Sequence, residues 1–136
     1  MNAEELFETG SPLARRLAAE GLEGEATIAR ARRLLGELSE EEKVATLNAH
    51  PRIGDKAARM SAHSRREQGD QEAPDLERLN AEYERRFGFR FVVFVNRRPR
   101  SQIAEVLRGR LRRSRQEEMQ EGLKAIVDIA QDRLRS

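Results

Sequence analysis

Residues 89–95 read Phe-Arg-Phe-Val-Val-Phe-Val, and the fold class turns on how that stretch is read. Aromatic and β-branched residues favour an extended backbone. No comparable stretch occurs elsewhere in the chain to pair with it as a second strand. Its N–H and C=O groups must then find partners other than a sheet ladder. The reading that follows is an extended segment buried among helices.

The sequence on either side supports helices. Pro74 opens a stripe of Leu76, Leu79, Asn80, Tyr83 and Phe87, and Gly88 offers a stop. After the extended segment, Ser101 begins a helix to about 112 with Ile103, Val106, Leu107 and Leu111 inward. Residues 115–134 carry Leu123, Ile126, Val127, Ala130 and Leu134 on one side. Upstream, 2–9 and 12–20 read as short helices, the second capped by Ser11 with Pro12 at its first position. Ile28, Ala31, Leu34, Leu35 and Leu38 mark a helix over 24–38. Ser39 and Glu42 form a capping box for the next, which should end by His50 because Pro51 pushes its predecessor out of the α region. In 51–63 the pattern is broken at Gly54, with one helical turn expected over 55–60, and Ser64 opens a short helix to about 70. The expected fold is all-α. It is a single compact multi-helix bundle of seven or eight helices, several short, with one buried extended segment, spanning 1–136 as one domain.

Composition narrows the chemistry. The 136 residues suit one modest core. Lys and Arg number 26 against 24 Asp and Glu, for a net charge of +2, a balance unlike that of most disordered chains. With no cysteine, disulfides, thiolate nucleophiles and zinc-thiolate sites are excluded. His50 and His63 lack metal-ligand spacing, so no metal is expected. No apolar run is long enough to span a bilayer, and the start does not read as a signal peptide, so a cytoplasmic protein without a membrane partner is expected. Arg97-Arg98-Pro99-Arg100 and the run from Arg108 to Arg115 invite a nucleic-acid reading. Acidic residues follow directly and no stacking platform accompanies them, so these arginines read as a solvated face, with no nucleic-acid partner.

Four features can carry chemistry. His50 stands where a helix stops and proline stiffens the chain; nearby helix carbonyls would favour imidazolium, suiting proton transfer. The plain alternative is a capping or surface histidine. Ser64-Arg65-Arg66-Glu67-Gln68 is a capping box whose spare N–H groups could meet an anion. Arg133 lies on the stripe of Ile126, nearly two turns on; turned inward it needs a carboxylate partner, unless the end of the helix frays. Phe87 to Val95 is core by its side chains, but its unpaired backbone could meet an amide-rich heterocycle.

The order of these elements is more specific than any one of them. Asn48-Ala49-His50-Pro51-Arg52-Ile53-Gly54, then Ser64 to Gln68, then 79–95 (LNAEYERRFGFRFVVFV), then 129–134 (IAQDRL), resembles the 2-oxo-4-hydroxy-4-carboxy-5-ureidoimidazoline decarboxylase family over nearly the whole chain. The first forty residues match only in helical character. The resemblance implies a cofactor-free enzyme making (S)-allantoin in urate catabolism, with a small-molecule substrate and a homodimeric assembly. It implies His50, Glu67 and Arg133 as catalytic residues. Pro51, Ser64, Arg65, Arg66 and Gln68 would line the substrate, and Phe91, Val92, Val93, Phe94 and Val95 would meet it largely through backbone. Competing readings are a non-enzymatic helical interaction module with a decayed pocket, and a nucleic-acid binder.

Overall fold

The computed structural model describes residues 1–53 and 73–136. Seven helices run through them in chain order: α1 Ala3–Leu6, α2 Pro12–Glu20, α3 Glu25–Leu34, α4 Glu40–Ala49, α5 Ala73–Phe87, α6 Arg100–Arg110 and α7 Arg115–Arg135. Among the described residues there is no strand, only an isolated antiparallel bridge between Asn2 and Glu23. The all-α expectation holds, and residues 90–95 take no regular secondary structure and pair with no strand among the described residues. The turns expected over 55–60 and from Ser64 lie outside the described residues.

Local signals set most boundaries. The Ser11 hydroxyl accepts from the Ala14 N–H at 3.1 Å with Pro12 following. At the start of α4, Ser39 Oγ accepts from the Glu42 N–H at 3.1 Å while Glu42 Oε1 accepts from the Ser39 N–H at 3.0 Å. Helix α4 stops at Ala49, and His50 is extended at φ −77, ψ 138, as a pre-proline residue should be. Gly88 ends α5 at φ +82, a left-handed position that glycine takes without a Cβ penalty. Helix α1 is shorter than the 2–9 expected. Phe7 is already extended at φ −121, ψ 162, and burying its ring turns the chain inward at Glu8.

The longest helix, α7, packs against α1, α3 and α4. Met119, Leu123, Ile126, Val127 and Ala130 bury its apolar face among residues from every other helix. Gly122 permits a close approach: a Cβ there would stand 2.8 Å from Leu47 Cδ2 and 4.0 Å from Val92 Cβ. Leu47 sits one turn before His50, so this packing fixes the end of α4 that carries the histidine.

Three of the five phenylalanines gather around Tyr83. Its ring lies 4.6 Å from Phe87, 5.2 Å from Phe91 and 6.1 Å from Phe89, centroid to centroid. These spacings anchor the extended segment against α5.

Candidate active site

His50 is reached from three directions. Its own helix ends there. The N–H of Arg90 donates to Asn48 Oδ1 at 2.9 Å, and Arg90 Nη1 donates to the His50 carbonyl at 3.0 Å, tying the extended segment to the corner. Beyond the proline, Arg52 forks onto Glu84 at 2.6 and 3.0 Å, and Asn80 Nδ2 donates to the Ile53 carbonyl at 3.1 Å, fixing the exit to α5. Pro51 is exposed at this corner.

The imidazole faces a cleft lined by Leu6, Phe7, Glu8, Ser11, Ile126, Ile129 and Arg133. Its side chain is 16% exposed, and Nδ1 stands 3.8 Å from Glu8 Oε1. That is ion-pair range and too long for a direct hydrogen bond. Arg133 Nη2 reaches the same Glu8 oxygen at 3.3 Å, while Nη1 donates to the Leu6 carbonyl at 2.9 Å. Arg133 is therefore held within α7 and not frayed, and it shares a carboxylate with His50. The remaining space is about 10 Å³, room for roughly one water molecule.

Burial is the main influence on His50 and pushes its pKa below the ordinary histidine value; Glu8 opposes this, while Arg133 and Arg90 add to it. The helix carbonyls do not prevail, contrary to the expectation of imidazolium. A neutral imidazole is the favoured resting form, which equips His50 as a base.

Arginines satisfy three carbonyls of the extended segment. Arg110 Nη1 donates to the Val92 carbonyl at 2.8 Å, and Arg98 donates to the carbonyls of Phe94 at 2.6 Å and Val95 at 3.1 Å. The N–H groups of Phe91 to Val95 have no partner among the described residues. Phe91 and Val92 are core, whereas Val93 and Phe94 line a second cavity of about 530 Å³ with Arg98, Arg110, Arg113 and Asp128. Its α7 residues, Glu121, Ala125 and Asp128, form a face turned roughly 100° around the helix from that of Ile126, Ile129 and Arg133 in the His50 cleft. Among the described residues, then, His50 and Arg133 come together, while Val93 and Phe94 open on a neighbouring face. Ser64, Arg65, Arg66, Glu67 and Gln68 lie outside the described residues.

Two groups escaped the sequence reading. Glu8 fell within an ordinary first helix, and no spacing rule linked it to positions 50 and 133. The sequence of the arginine run suggests a solvated face, but Arg110 is buried. It bonds Glu118 Oε1 at 2.6 Å and lies 4.6 Å over the Phe91 ring. Glu118 is fully buried and also accepts from the Tyr83 hydroxyl at 2.7 Å. Burial and this carboxylate raise the Tyr83 pKa far above the tyrosine norm, so the hydroxyl remains a donor. The signal available was the eight-residue spacing of Arg110 and Glu118 across the α6–α7 turn.

Comparison with known proteins agrees with this picture. The chain is 35% identical over 102 residues to the uric acid degradation bifunctional protein PucL of Bacillus subtilis (strain 168), a match covering 69% of this chain and 20% of that protein. It thus spans about a fifth of that curated relative's length. Its fold matches a crystal structure of OHCU decarboxylase in the presence of (S)-allantoin, with a TM-score of 0.77 at 19% identity, covering 98% of this chain and 96% of that one. It also matches a crystal structure of (S)-allantoin synthase, with a TM-score of 0.71 at 22% identity over 97% of this chain and 48% of that one. The sequence profile of OHCU decarboxylase matches residues 3–135, and the chain belongs to that family of carboxy-lyases.

Proposed function

We propose that this chain decarboxylates 2-oxo-4-hydroxy-4-carboxy-5-ureidoimidazoline to (S)-allantoin in urate breakdown. The observation that carries the reading is a half-buried imidazole, biased neutral, beside a guanidinium, in a chain of this family. The chemistry needs no cofactor. When the bond to the carboxylate breaks, its electron pair flows toward the adjacent C=N unit of the ring, whose nitrogen takes a proton. The hydroxyl then gives up its proton as that carbon becomes a carbonyl, and the neighbouring ring carbon is protonated from one face. The protein's share is orientation, charge placement and proton handling.

In this reading His50 takes the hydroxyl proton and returns one to the ring. Arg133 offsets negative charge. Glu67 and Gln68 hold ring and ureido N–H groups, and Ser64, Arg65, Arg66 and Pro51 complete the wall. The N–H groups of Phe91 to Val95, unpartnered among the described residues, support backbone contacts to an amide-rich heterocycle. No described helix is long and apolar enough to cross a membrane. A homodimer, on the strength of the family resemblance, working in the cytoplasm completes the proposal.

The test couples urate oxidase and hydroxyisourate hydrolase to this protein. Ultraviolet absorbance should show faster loss of the intermediate, and circular dichroism should show one hand of allantoin. His50→Ala should fold yet lose roughly two to four orders of magnitude in turnover, the usual scale of acid-base catalysis. Spontaneous-rate, racemic product from the wild-type protein would instead support a non-enzymatic interaction module.

A further inference from the structure

We propose that Glu8 is a positioning residue that sets the tautomer and basicity of His50 and holds Arg133 beside it; this rests on the role given to His50 above. One carboxylate oxygen stands 3.8 Å from His50 Nδ1 and 3.3 Å from Arg133 Nη2. The side chain is 30% exposed, so its charge is only partly screened by water. Phe7, buried at 3%, holds the chain there, and the Leu6 carbonyl takes the other Arg133 nitrogen at 2.9 Å.

The consequence is chemical. A carboxylate facing Nδ1 favours the tautomer that carries its proton on Nδ1, which leaves Nε2 free to accept one from substrate. The charged groups facing the ring come from three elements. Glu8, on the α1–α2 connection, raises the affinity of His50 for a proton, whereas Arg133 on α7 and Arg90 on the extended segment lower it, along with burial. Glu8 is the one acidic group opposing those three influences among the described residues. It keeps His50 a competent base where two cations and poor hydration would otherwise weaken it. It also restrains the guanidinium, whose side chain is 39% exposed.

The experiment compares wild type, Glu8→Gln and Glu8→Asp by ¹⁵N-edited NMR of the imidazoles, thermal unfolding and the pH profile of kcat/KM. Only His50 and His63 give imidazole signals. Wild-type His50 should show the Nδ1–H tautomer. In Glu8→Gln its titration midpoint and the acid limb of kcat/KM should move together to lower pH, with kcat/KM reduced roughly tenfold to a hundredfold, as when an orienting partner is lost. Glu8→Asp should recover part of both. A fall in melting temperature with the His50 titration and tautomer unchanged would overturn the proposal, leaving Glu8 a purely structural residue. The NMR titration needs no turnover, so it tests Glu8 even if the wild-type protein proves inactive, an outcome that would sink the decarboxylase reading alone.

Discussion

Two guanidinium sites in this molecule use the same three parts with opposite results. Arg110 donates to a backbone carbonyl (Val92, 2.8 Å) and to a carboxylate (Glu118, 2.6 Å). Arg133 also donates to a backbone carbonyl (Leu6, 2.9 Å) and to a carboxylate (Glu8, 3.3 Å). The difference is water: the Arg110 and Glu118 side chains are 8% and 0% exposed, whereas Arg133 and Glu8 are 39% and 30% exposed. In the dry site the charges are committed to one geometry, and they hold the extended segment against α5 and α7. In the wetter site the same groups are screened by water and are worth little to the fold. Burial, not residue type, separates scaffold from site.

The largest effect should come from breaking the dry site. Glu118→Ala leaves the Arg110 charge buried beside Phe91 and removes the acceptor of the Tyr83 hydroxyl, and should cost about 3–5 kcal/mol, the scale for stranding one member of a buried pair. Urea unfolding measures it. A loss below about 1 kcal/mol, the range of exposed pairs, would erase the contrast between the two sites.

Gly122→Ala comes next and probes the packing that connects the core to His50. The added Cβ meets Leu47 at 2.8 Å, and Leu47 is fully buried with little room to yield. Overpacking of this kind costs about 1–3 kcal/mol, offset by up to about 1 kcal/mol of gained helix propensity. A net loss of about 1 kcal/mol by thermal or urea unfolding is expected, with reduced turnover because α4 must shift. A stabilised variant with wild-type turnover would show that the α4–α7 contact does not position the histidine.

Arg133→Ala should do the reverse of Glu118→Ala. Its stability cost should stay below about 1 kcal/mol, as for exposed ion pairs, while decarboxylation slows or substrate affinity drops. Comparing unfolding curves with steady-state kinetics separates the two. A variant that unfolds early yet turns over normally would make Arg133 a strut for the α1 turn.

The helical fold was legible because its signals are local. Ser11-Pro12, Ser39 with Glu42, and the apolar stripes of α5 and α7 each act over one or two turns. Reading 89–95 as a segment without a partner strand also needed only the absence of a second strand-like stretch. The candidate site was legible in part. His50 stood out through Pro51, and Arg133 through its register with Ile126. Glu8 did not, because its partners His50 and Arg133 lie far along the chain, the latter 125 residues away, and pairing at that separation leaves no periodic trace. Arg110 misled for a related reason. A charged residue in an arginine-rich run looks solvated until the partner that buries it, on the far side of a turn, is known.

The smallest effect concerns the pH dependence of stability, and it sharpens the comparison from the side of the imidazole. The folded-state pKa of His50 is lowered, chiefly by burial and then by Arg133 and Arg90 against the pull of Glu8. The unfolded chain, with an ordinary histidine, then binds the proton more readily than the folded one. Linkage gives a contribution to stability that is fully present above the unfolded value near pH 6.5 and is lost as pH falls through the folded value. Urea midpoints measured from about pH 7.5 down to about pH 5 should fall, and the fall should be shallower in His50→Gln, which has nothing to protonate there. The two proteins differ only at this side chain, so the difference between the two curves isolates His50. Adding Glu8→Gln to both proteins should widen the gap between them, because it removes the group that draws the folded pKa back up. Curves that superimpose would mean that the imidazole is solvated in the folded protein, and that His50 belongs with the exposed corner of Pro51 rather than with the cleft it shares with Arg133.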